Sequence, residues 1–420
     1  MSRASHKCSI TASFILDGQE TKIAPAAIKY IMIEHLYGVR YMPVIYLSLS
    51  IIDKVYDMML ENEKRGKFYL NIREYNIYAI GGIEKDYIKG QFTYILPTSN
   101  PNYSEDLNEE GTNMDTSYKT LTIALTSMQL LNAAKISFNG TKGDIDQNTL
   151  LAEALNGLNK VILRKPVYNA EFETINIPPL PSRTKLIRFI FDKNPFYDTN
   201  FMFFMDFHQS YLLDLTGEFC PANDGQLGTV SIDICSVLDP ASYSEGIAVE
   251  NDYYQFYVNP ADVNVSPNKA IDKIANQVVF VDDDYVESVD LNINRNVDSS
   301  TKQSFKRGGN ARLYKNNAEA NTVLIELVKE NLDSSIITPN KKFIINSYED
   351  HNEYTGLYTL LYKKEVITNI NNEFGFSMMI GLRKVGNITK IGKKYMNNMM
   401  KRNSFSRYST RTAKKKKNKK

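Results

Sequence analysis

The sequence predicts an α+β protein rich in β-structure, with strand-forming segments toward both ends of the chain and a mixed α/β region between them. Toward both ends, apolar and polar residues alternate in short segments, which is typical of strands with one buried face. In the middle, two segments carry apolar residues at helical spacing. The chain then continues into a basic tail, since residues 393–420 hold twelve Lys and Arg and no Asp or Glu.

The 420 residues suffice for two or three domains, and 43% of them are hydrophobic. The formal net charge of the whole chain is +2. Because residues 393–420 contribute twelve positive charges, the rest of the chain carries a net charge of about −10. Three cysteines at positions 8, 220 and 235 follow no metal-site spacing and predict a reduced protein without disulfides. We expect neither a secretory signal nor a membrane-spanning helix, because the apolar runs are too short.

Residues 1–138 are predicted to form a first strand-rich domain. In its first strand, apolar residues alternate up to Leu16, and Asp17-Gly18 then predicts a tight turn. Residues 26–38 fit a strand or a helix, and their β-branched content favours a strand.

The rest of this domain continues the alternation. A strand is predicted after Pro43, a helix over 53–66, and further strands over 67–77, 90–96 and 118–128. Between the last two strands, residues 98–118 are a polar insertion rich in Asn, Ser and acidic residues. We predict that this insertion is a surface loop.

Residues 139–240 are predicted to form the mixed α/β middle domain. Leucines at helical spacing over 146–163 predict its clearest helix, and either Asp146 or Asn148 can cap the first turn. Three prolines between 178 and 181 then predict an extended crossing. An amphipathic helix, a turn at Asn194-Pro195 and two short strands follow.

Residues 241–387 are predicted to form a second strand-rich domain with an inserted polar segment. Strands are expected over 253–258 and 277–281, whereas residues 318–335 fit either a helix or a buried strand. Residues 355–384 alternate like two paired strands and predict a closing hairpin. The basic tail, residues 388–420, fits a solvated end, a segment that docks on a protein, or a nucleic-acid contact.

No catalytic, cofactor-binding or metal-binding set is predicted. The four histidines, at positions 6, 35, 208 and 351, are scattered, and none has the i, i+4 spacing of helical metal ligands. No nucleophile elbow, Walker loop or dinucleotide turn is present, and we predict a loop for Gly140–Asp144. Each histidine is therefore expected to be an ordinary structural or surface residue.

Two acidic groups leave alternatives open. Asp282, Asp283, Asp284 and Glu287 fit a solvated turn, or a hard cation held by oxygen ligands. Asp206 and His208 resemble an acid–base dyad. Because residues i and i+2 of one strand share a face, a hydrogen bond between them at the surface is the preferred interpretation.

The pattern resembles the central hub protein of the baseplate in contractile-tailed bacteriophages. The resemblance lies in three stretches: the opening strands over 6–52, the helix and proline crossing that lead into the Phe-rich segment up to residue 213, and the closing hairpin. It covers most of residues 6–387 and is a resemblance of pattern rather than of an invariant motif. The insertion at 98–118 and the tail after 388 depart from it.

The resemblance implies a structural virion protein without enzymatic activity or cofactor, located in the tail baseplate. Each chain would hold two tube-like β-barrel domains, and a homotrimer would form a pseudo-sixfold ring between a trimeric central spike and the hexameric tail tube. The tail would extend toward the spike, the tape-measure protein, a baseplate wedge or the passing DNA. Rival interpretations are another baseplate adaptor or wedge component, a tail-associated peptidoglycan hydrolase, and a nucleic-acid-binding protein.

Overall fold

The computed structural model describes fifteen stretches of the chain, and every statement below concerns them. Besides residue 166, they are 7–37, 41–76, 83–96, 118–163, 168–196, 202–213, 228–234, 247–250, 253–258, 263–264, 322–328, 337–347, 354–370 and 373–386. The predictions for the insertion at 98–118, apart from its last residue, for a strand over 277–281 and for the basic tail after 388 fall outside these ranges.

The N-terminal part contains seven described strands and one described α-helix. They are β1 (Lys7–Leu16), β2 (Gln19–Ile23), β3 (Ile28–Leu36), β4 (Val44–Ile52), α1 (Asp53–Glu61), β5 (Lys67–Asn76), β6 (Ile83–Ile95) and β7 (Tyr118–Ser127). The strands and the helix predicted here are confirmed. Residues 26–38, which also fitted a helix, form β3.

The middle part alternates helices and strands. Its elements are α2 (Met128–Ala134), β8 (Lys135–Asp146), α3 (Gln147–Leu155), β9 (Val161–Leu163), β10 (Glu171–Ser182), α4 (Arg183–Lys193), β11 (Met202–Met205) and β12 (Ser210–Leu213). Asp146 caps α3, because its side chain accepts a hydrogen bond from the backbone N–H of Thr149 at 2.8 Å.

The C-terminal part is made of strands in the described ranges. They are β13 (Thr229–Ile234), β14 (Ile247–Glu250), β15 (Tyr253–Val258), β16 (Val263–Asn264), β17 (Thr322–Val328), β18 (Lys342–Ser347), β19 (Gly356–Ile370) and β20 (Glu373–Gly386). The segment that fitted a helix or a buried strand forms β17, and the predicted closing hairpin is β19–β20. The protein is therefore β-rich, as the sequence predicts.

The loop predicted for Gly140–Asp144 is wrong. These residues lie inside β8, which pairs with β10 in a long two-stranded ribbon. Gly140 and Asp144 both have positive φ, 119° and 50°, so the strand contains irregular positions that look loop-like in the sequence. The pairing across the ribbon nevertheless keeps the segment extended.

The first hairpin shows how local chemistry sets strand register. Leu16 pairs with Gln19, so the loop between β1 and β2 has two residues. Asp17 and Gly18 both adopt positive φ, 49° and 83°, which is the requirement of the type I′ turn that suits the twist of paired strands. The predicted turn is confirmed, and it places Ile10, Ala12 and Phe14 on the core face of β1.

Antiparallel ladders connect the N-terminal strands in the order β2–β1–β5–β6–β7–β4–β3. The next ladder pairs β3 with β19, where Tyr362 lies opposite Leu36 and Thr368 opposite Tyr30. One continuous sheet thus contains strands from both predicted strand-rich domains. We call this ladder the seam.

The C-terminal strands pair in a different way. β13 is parallel to both β15 and β18, and β18 then joins β19 in the antiparallel direction. The described ladders of the N-terminal part are all antiparallel, so the two parts differ in strand direction.

The long sheet curls around one core. The backbones of β1 and β20 approach within 8 Å, although no ladder joins them in the described ranges. Ile10 and Phe14 of β1 belong to the same buried cluster as Ile380 and Leu382 of β20. The strands from β1 to β20 therefore enclose a shared apolar interior.

The middle part has its own core, formed by α3, α4, β10 and β11 with their neighbours. The buried Arg183, at the start of α4, donates from Nη1 to the carbonyl of Ala154 at 2.6 Å and from Nε to that of Ala133 at 2.5 Å. Both carbonyls lie in the last turns of helices, where a cation is favoured. A single guanidinium thus joins α2, α3 and α4.

No helix in the described ranges is long and apolar enough to cross a membrane.

Gly66, which precedes β5, provides a test of core packing. A Cβ added there would lie 2.5 Å from Phe14 Cε2 and 2.9 Å from Tyr94 Cε1, and both rings are buried. Tyr94 is also held by a 2.6 Å hydrogen bond to the Met59 carbonyl, so it cannot move freely. We expect Gly66→Ala to lower the free energy of unfolding by roughly 1–3 kcal/mol, measured by chemical denaturation.

Gly90→Ala is the matched control, because a Cβ at Gly90 meets no atom within 4 Å. It should leave the free energy of unfolding nearly unchanged. Equal destabilisation by both variants would show that strand conformation, rather than contact with the two rings, limits residue 66.

Candidate functional site

A buried group of polar residues lies on the core face of the seam, where N-terminal, middle and C-terminal parts meet. It contains His35 of β3, Tyr87 of β6, Asp206 of the β11–β12 turn, and Lys363 and Glu365 of β19. We call these five residues the seam cluster. All five are buried, which is rare for ionisable side chains unless they are paired.

Glu365 is the centre of the seam cluster. One carboxylate oxygen accepts a hydrogen bond of 2.6 Å from the Tyr87 hydroxyl, and the other lies 3.1 Å from Lys363 Nζ. Lys363 and Glu365 are two residues apart on one strand, so their side chains point to the same face. A buried carboxylate is costly unless such partners compensate its lost hydration.

His35 lies beside this pair without bonding to it. Its Nε2 is 3.9 Å from Glu365 Oε2, and neither imidazole nitrogen has a hydrogen-bond partner in the part of the chain that the structure describes. The ring stacks on Tyr37 at 5.5 Å and meets Phe207 edge-on at 6.0 Å. Burial, and then the nearby Lys363 and His208, hold the pKa of His35 well below its ordinary value, so the imidazole is neutral at neutral pH.

Asp206 organises the turn between β11 and β12. Its Oδ1 accepts the backbone N–H groups of His208 and Gln209, both at 2.8 Å, and its Oδ2 accepts the Tyr211 hydroxyl at 2.6 Å. The preferred interpretation of Asp206 and His208 as a surface pair on one strand is therefore wrong. Asp206 is buried just after β11 ends, and its carboxylate binds the backbone of a turn.

The turn that Asp206 holds inserts into the side of the curled sheet. Phe207 packs against both the sheet core and the middle core, and its ring lies 6.4 Å from that of Phe92. Nearby, the Met205 N–H donates to the Tyr41 carbonyl at 2.8 Å. The middle part thus docks where β3 ends and the seam cluster lies.

The carboxylates of the seam cluster affect the pKa values of the tyrosines beside the turn. Burial, followed by the charges of Asp206 and Glu365, raises the pKa of Tyr37 well above its ordinary value. Burial, and then Asp206, raises the pKa of Tyr211 in the same direction. Both hydroxyls therefore stay protonated, and that of Tyr211 serves as a hydrogen-bond donor.

The seam cluster is suited to holding elements together rather than to chemistry on a substrate. Its charged atoms are directed at each other, at backbone groups and at tyrosine hydroxyls, and they are covered by core residues. A buried pair of this kind fixes the relative position of strands, because a shift would leave a charge without its partner.

The other residues singled out in the sequence do not join this site. His208 is exposed on the turn, where its ring lies 5.4 Å from that of Tyr87. Cys8 is buried in the sheet core. Within the described ranges, no three His, Cys, Asp or Glu side chains are arranged to hold a metal ion. Outside these ranges lie His6, His351, Cys220, Cys235, Asp282, Asp283, Asp284 and Glu287.

The sequence contained one signal for the seam cluster that its interpretation missed. In β19, Lys363 and Glu365 occupy the same alternating face as Ile367, which is buried. Charged residues at core-facing positions of a strand indicate buried partners. The distance of those partners along the chain, 278 residues for Tyr87, explains why local patterns did not reveal them.

No family model and no curated protein matches the chain. Solved structures are similar to it only distantly. A tail protein from Neisseria meningitidis MC58 is 9% identical, with 90% of this chain and 96% of that chain covered and a TM-score of 0.39. The 43 kDa tail protein of prophage MuSo2 from Shewanella oneidensis is 10% identical, with 90% and 100% covered and a TM-score of 0.41.

A third similar structure is an Escherichia coli component of the type VI secretion system, which is itself structurally similar to T4 phage tail proteins. It is 7% identical, with 92% of this chain and 78% of that chain covered and a TM-score of 0.38. At TM-scores this low, none of these likenesses fixes the function or assembly of this chain.

Breaking the buried pair at one end tests its structural role. Glu365→Gln keeps the side-chain shape but leaves the Lys363 ammonium buried without the charge of Glu365. We expect the free energy of unfolding to fall by roughly 3–5 kcal/mol, measured by chemical denaturation. The double variant Lys363→Met/Glu365→Leu should recover most of this loss, because it removes both charges.

Asp86→Asn is the control for a surface ion pair, since Asp86 contacts Arg73 and Lys89 in an exposed position. It should have little effect on stability. A Glu365→Gln loss as small as that of Asp86→Asn would mean that the seam does not depend on the buried charge.

The buried histidine predicts a dependence of stability on pH. Because the folded protein depresses the pKa of His35, the unfolded chain binds the proton more readily below about pH 6.5, and stability is lost as pH falls through this region. From about pH 7.5 to about pH 5.5 the contribution is at most about 1.4 kcal/mol. His35→Phe should remove this part of the pH dependence of the denaturation midpoint.

His208→Asn is the comparison variant: burial is the first cause of the depressed pKa of His35, so most of this pH dependence should survive the loss of His208. If wild-type protein and His35→Phe showed the same slope of stability against pH, then the imidazole of His35 would not be held neutral by the fold.

Proposed function

We propose that this chain is a structural virion protein, the hub of a contractile-tail baseplate. In this proposal three copies form a ring that joins a central spike on one side to the hexameric tail tube on the other. The sequence resemblance described above supports the specific assignment. Its opening strands, proline crossing and closing hairpin form β1–β4, β10 and β19–β20.

The observation that carries the proposal is the curled sheet. A sheet that bends back on itself, so that β1 and β20 approach around a filled interior, supports a stiff, tube-like body. Such a body suits a part that transmits force and matches symmetries. The proposal further assigns a tube-like β-barrel to each of residues 1–138 and 241–387, with the two joined into one sheet at the β3–β19 ladder, and a mixed region to residues 139–240.

Two barrels per chain would give a ring of three chains six similar barrels, which imitates six subunits. A ring of one chain type closes through repeated head-to-tail contacts. Exposed apolar strand ends support such contacts. Ile52 pairs with Tyr118 across β4 and β7, and both are exposed together with Ile370 at the same end of the sheet. Apolar residues grouped at a surface mark interaction sites more often than chance exposure does.

The proposal assigns no reaction to the chain, because the buried ionisable residues of the seam cluster hold strands and a turn. The basic tail would contact the spike, the tape-measure protein, a baseplate wedge or passing DNA through its twelve cationic residues. A tail-associated hydrolase is the competing function, and it would require an accessible pair of acidic groups.

The mass of the purified protein in solution tests the proposal. A trimer of about 144 kDa, three times the chain mass of 47.9 kDa, is expected by light scattering at several concentrations. Averaged electron micrographs of the same sample should show rings with six similar lobes.

A monomer or a hexamer of this chain, or a ring with three plain lobes, would contradict the hub proposal. A cell-wall digestion assay with the same sample, compared with lysozyme, separates the competing function, because release of soluble peptidoglycan fragments would favour a hydrolase.

A further inference from the structure

The chain contains two Asn-Gly pairs, Asn139-Gly140 and Asn156-Gly157, and both asparagines are exposed. An asparagine side-chain amide reacts most readily when glycine follows it. Glycine has no Cβ, so its backbone nitrogen can approach the asparagine side chain closely. Exposure does not distinguish the two pairs, so their local structures decide which of them reacts in the folded protein.

The reaction is spontaneous deamidation, and water is its only co-reactant. The glycine nitrogen gives its proton to hydroxide and forms a bond to the carbonyl carbon of the asparagine side chain. The side-chain nitrogen takes a proton from water and leaves as ammonia, which closes a five-membered imide ring. One water then opens the ring at either carbonyl. The product is aspartate or isoaspartate, whose backbone runs through the side-chain carbon, and either product exchanges a neutral amide for a carboxylate.

The first pair is held in the ribbon of β8 and β10. Gly140 pairs with Ile177, and the next residue, Thr141, pairs with Asn176. The Thr141 hydroxyl also donates to Asn176 Oδ1 at 2.7 Å. Ring closure changes the course of the backbone between Asn139 and Gly140, so it requires the ribbon to open locally.

The second pair lies in the turn between α3 and β9. The N–H of Asn156 donates to the Glu153 carbonyl at 3.2 Å, and that of Leu158 donates to the Leu155 carbonyl at 3.3 Å. Within the described ranges, the N–H of Gly157 between them donates no backbone hydrogen bond. The attacking nitrogen therefore has no ladder bond to break before it reacts.

We propose that Asn156 is a site of spontaneous deamidation in the folded protein, whereas the ribbon protects Asn139. This inference follows from the local structure of the two pairs and does not depend on the proposed baseplate function.

The modification would weaken the join between the helices of the middle part. Arg183 donates to the carbonyl of Ala154 at 2.6 Å, and a Cβ added at Gly157 would lie 3.6 Å from Arg183 Nη2. Isoaspartate at position 156 inserts an extra backbone carbon just after Ala154. Its carboxylate lies at the C-terminal end of α3, where negative charge is unfavourable. Modified protein should therefore be less stable than unmodified protein.

Trypsin separates the two sites, because residues 136–142 and 143–160 are different tryptic peptides. The folded, full-length protein is kept in mildly alkaline buffer, sampled over time, digested and measured by mass spectrometry. Breaking one or two ladder hydrogen bonds slows the reaction of Asn139, so peptide 143–160 should exchange NH₂ for OH roughly tenfold faster than peptide 136–142. Fragment spectra should place the change at Asn156 rather than at Asn148 or Asn159. In urea, where no ribbon remains, the two peptides should react at similar rates.

Asn156→Gln is the variant that blocks the reaction, since the longer side chain would have to close a less favourable six-membered ring. It should keep its free energy of unfolding throughout the incubation, whereas wild-type protein loses stability in step with isoaspartate formation. Asn139→Gln is the matched control and should age like wild-type protein.

The proposed site would be wrong if folded protein reacted at Asn139 as fast as at Asn156 or faster, or if Asn156 reacted only in urea. Wild-type protein that kept its stability after modification, or Asn156→Gln protein that lost stability equally, would contradict the proposed effect on the helix join.

Discussion

The ladder between β3 and β19 is the constraint on which the rest of the structure depends. Beside its end, the Asn369 side chain donates a 3.0 Å hydrogen bond to the carbonyl of Ile28, which is 341 residues away in the sequence. Contacts this distant in sequence are costly in chain entropy and are retained only if many interactions form together. The seam supplies them as a continuous run of backbone hydrogen bonds with an apolar interior on one side.

The seam cluster adds positional specificity to that run. Polar groups inside a core stabilise less than well-packed apolar groups would, but they tolerate fewer alternative arrangements. A one-residue shift of β19 would turn Lys363 and Glu365 to the opposite face of the sheet and separate Glu365 from the Tyr87 hydroxyl. Register at the seam is therefore fixed by charge as well as by hydrophobic pattern. This property fits the stiff body that the proposed hub would require.

The same cluster explains how the middle part is attached. Asp206 folds the β11–β12 turn into a compact shape, and Phe207 at its tip contacts both cores. Arg183, at the start of α4, hydrogen-bonds the last turns of α2 and α3 and so joins three helices of the middle part. A rigid turn at the end of one region, inserted beside the seam of the other, leaves little freedom between the two. The proposed ring would need this stiffness, since errors in the angle between regions would accumulate around it.

Most of the described strands and helices could be predicted from the sequence, because each depends on local pattern. Alternation specified β1, β3, β4, β19 and β20, and Asp17-Gly18 specified the first turn. The start of α3 was narrowed to a cap at Asp146 or Asn148, of which the structure has Asp146. The failures have physical reasons as well. Gly140 and Asp144 sit in β8 because the ribbon partner β10 overrides their local preference, and Asp206 is buried because backbone donors compensate its charge.

What the sequence determined by itself was therefore the kind of most described elements and the charge of the tail, since both follow from residues close together in the chain. Which strands became neighbours was decided only by the tertiary structure. The pairing of β3 with β19, the burial of His35, Lys363 and Glu365, and the approach of β20 to β1 all bring together residues that no local pattern connects. Burial and long-range hydrogen bonding are properties of the assembled sheet, and they gave ordinary charged residues their structural role.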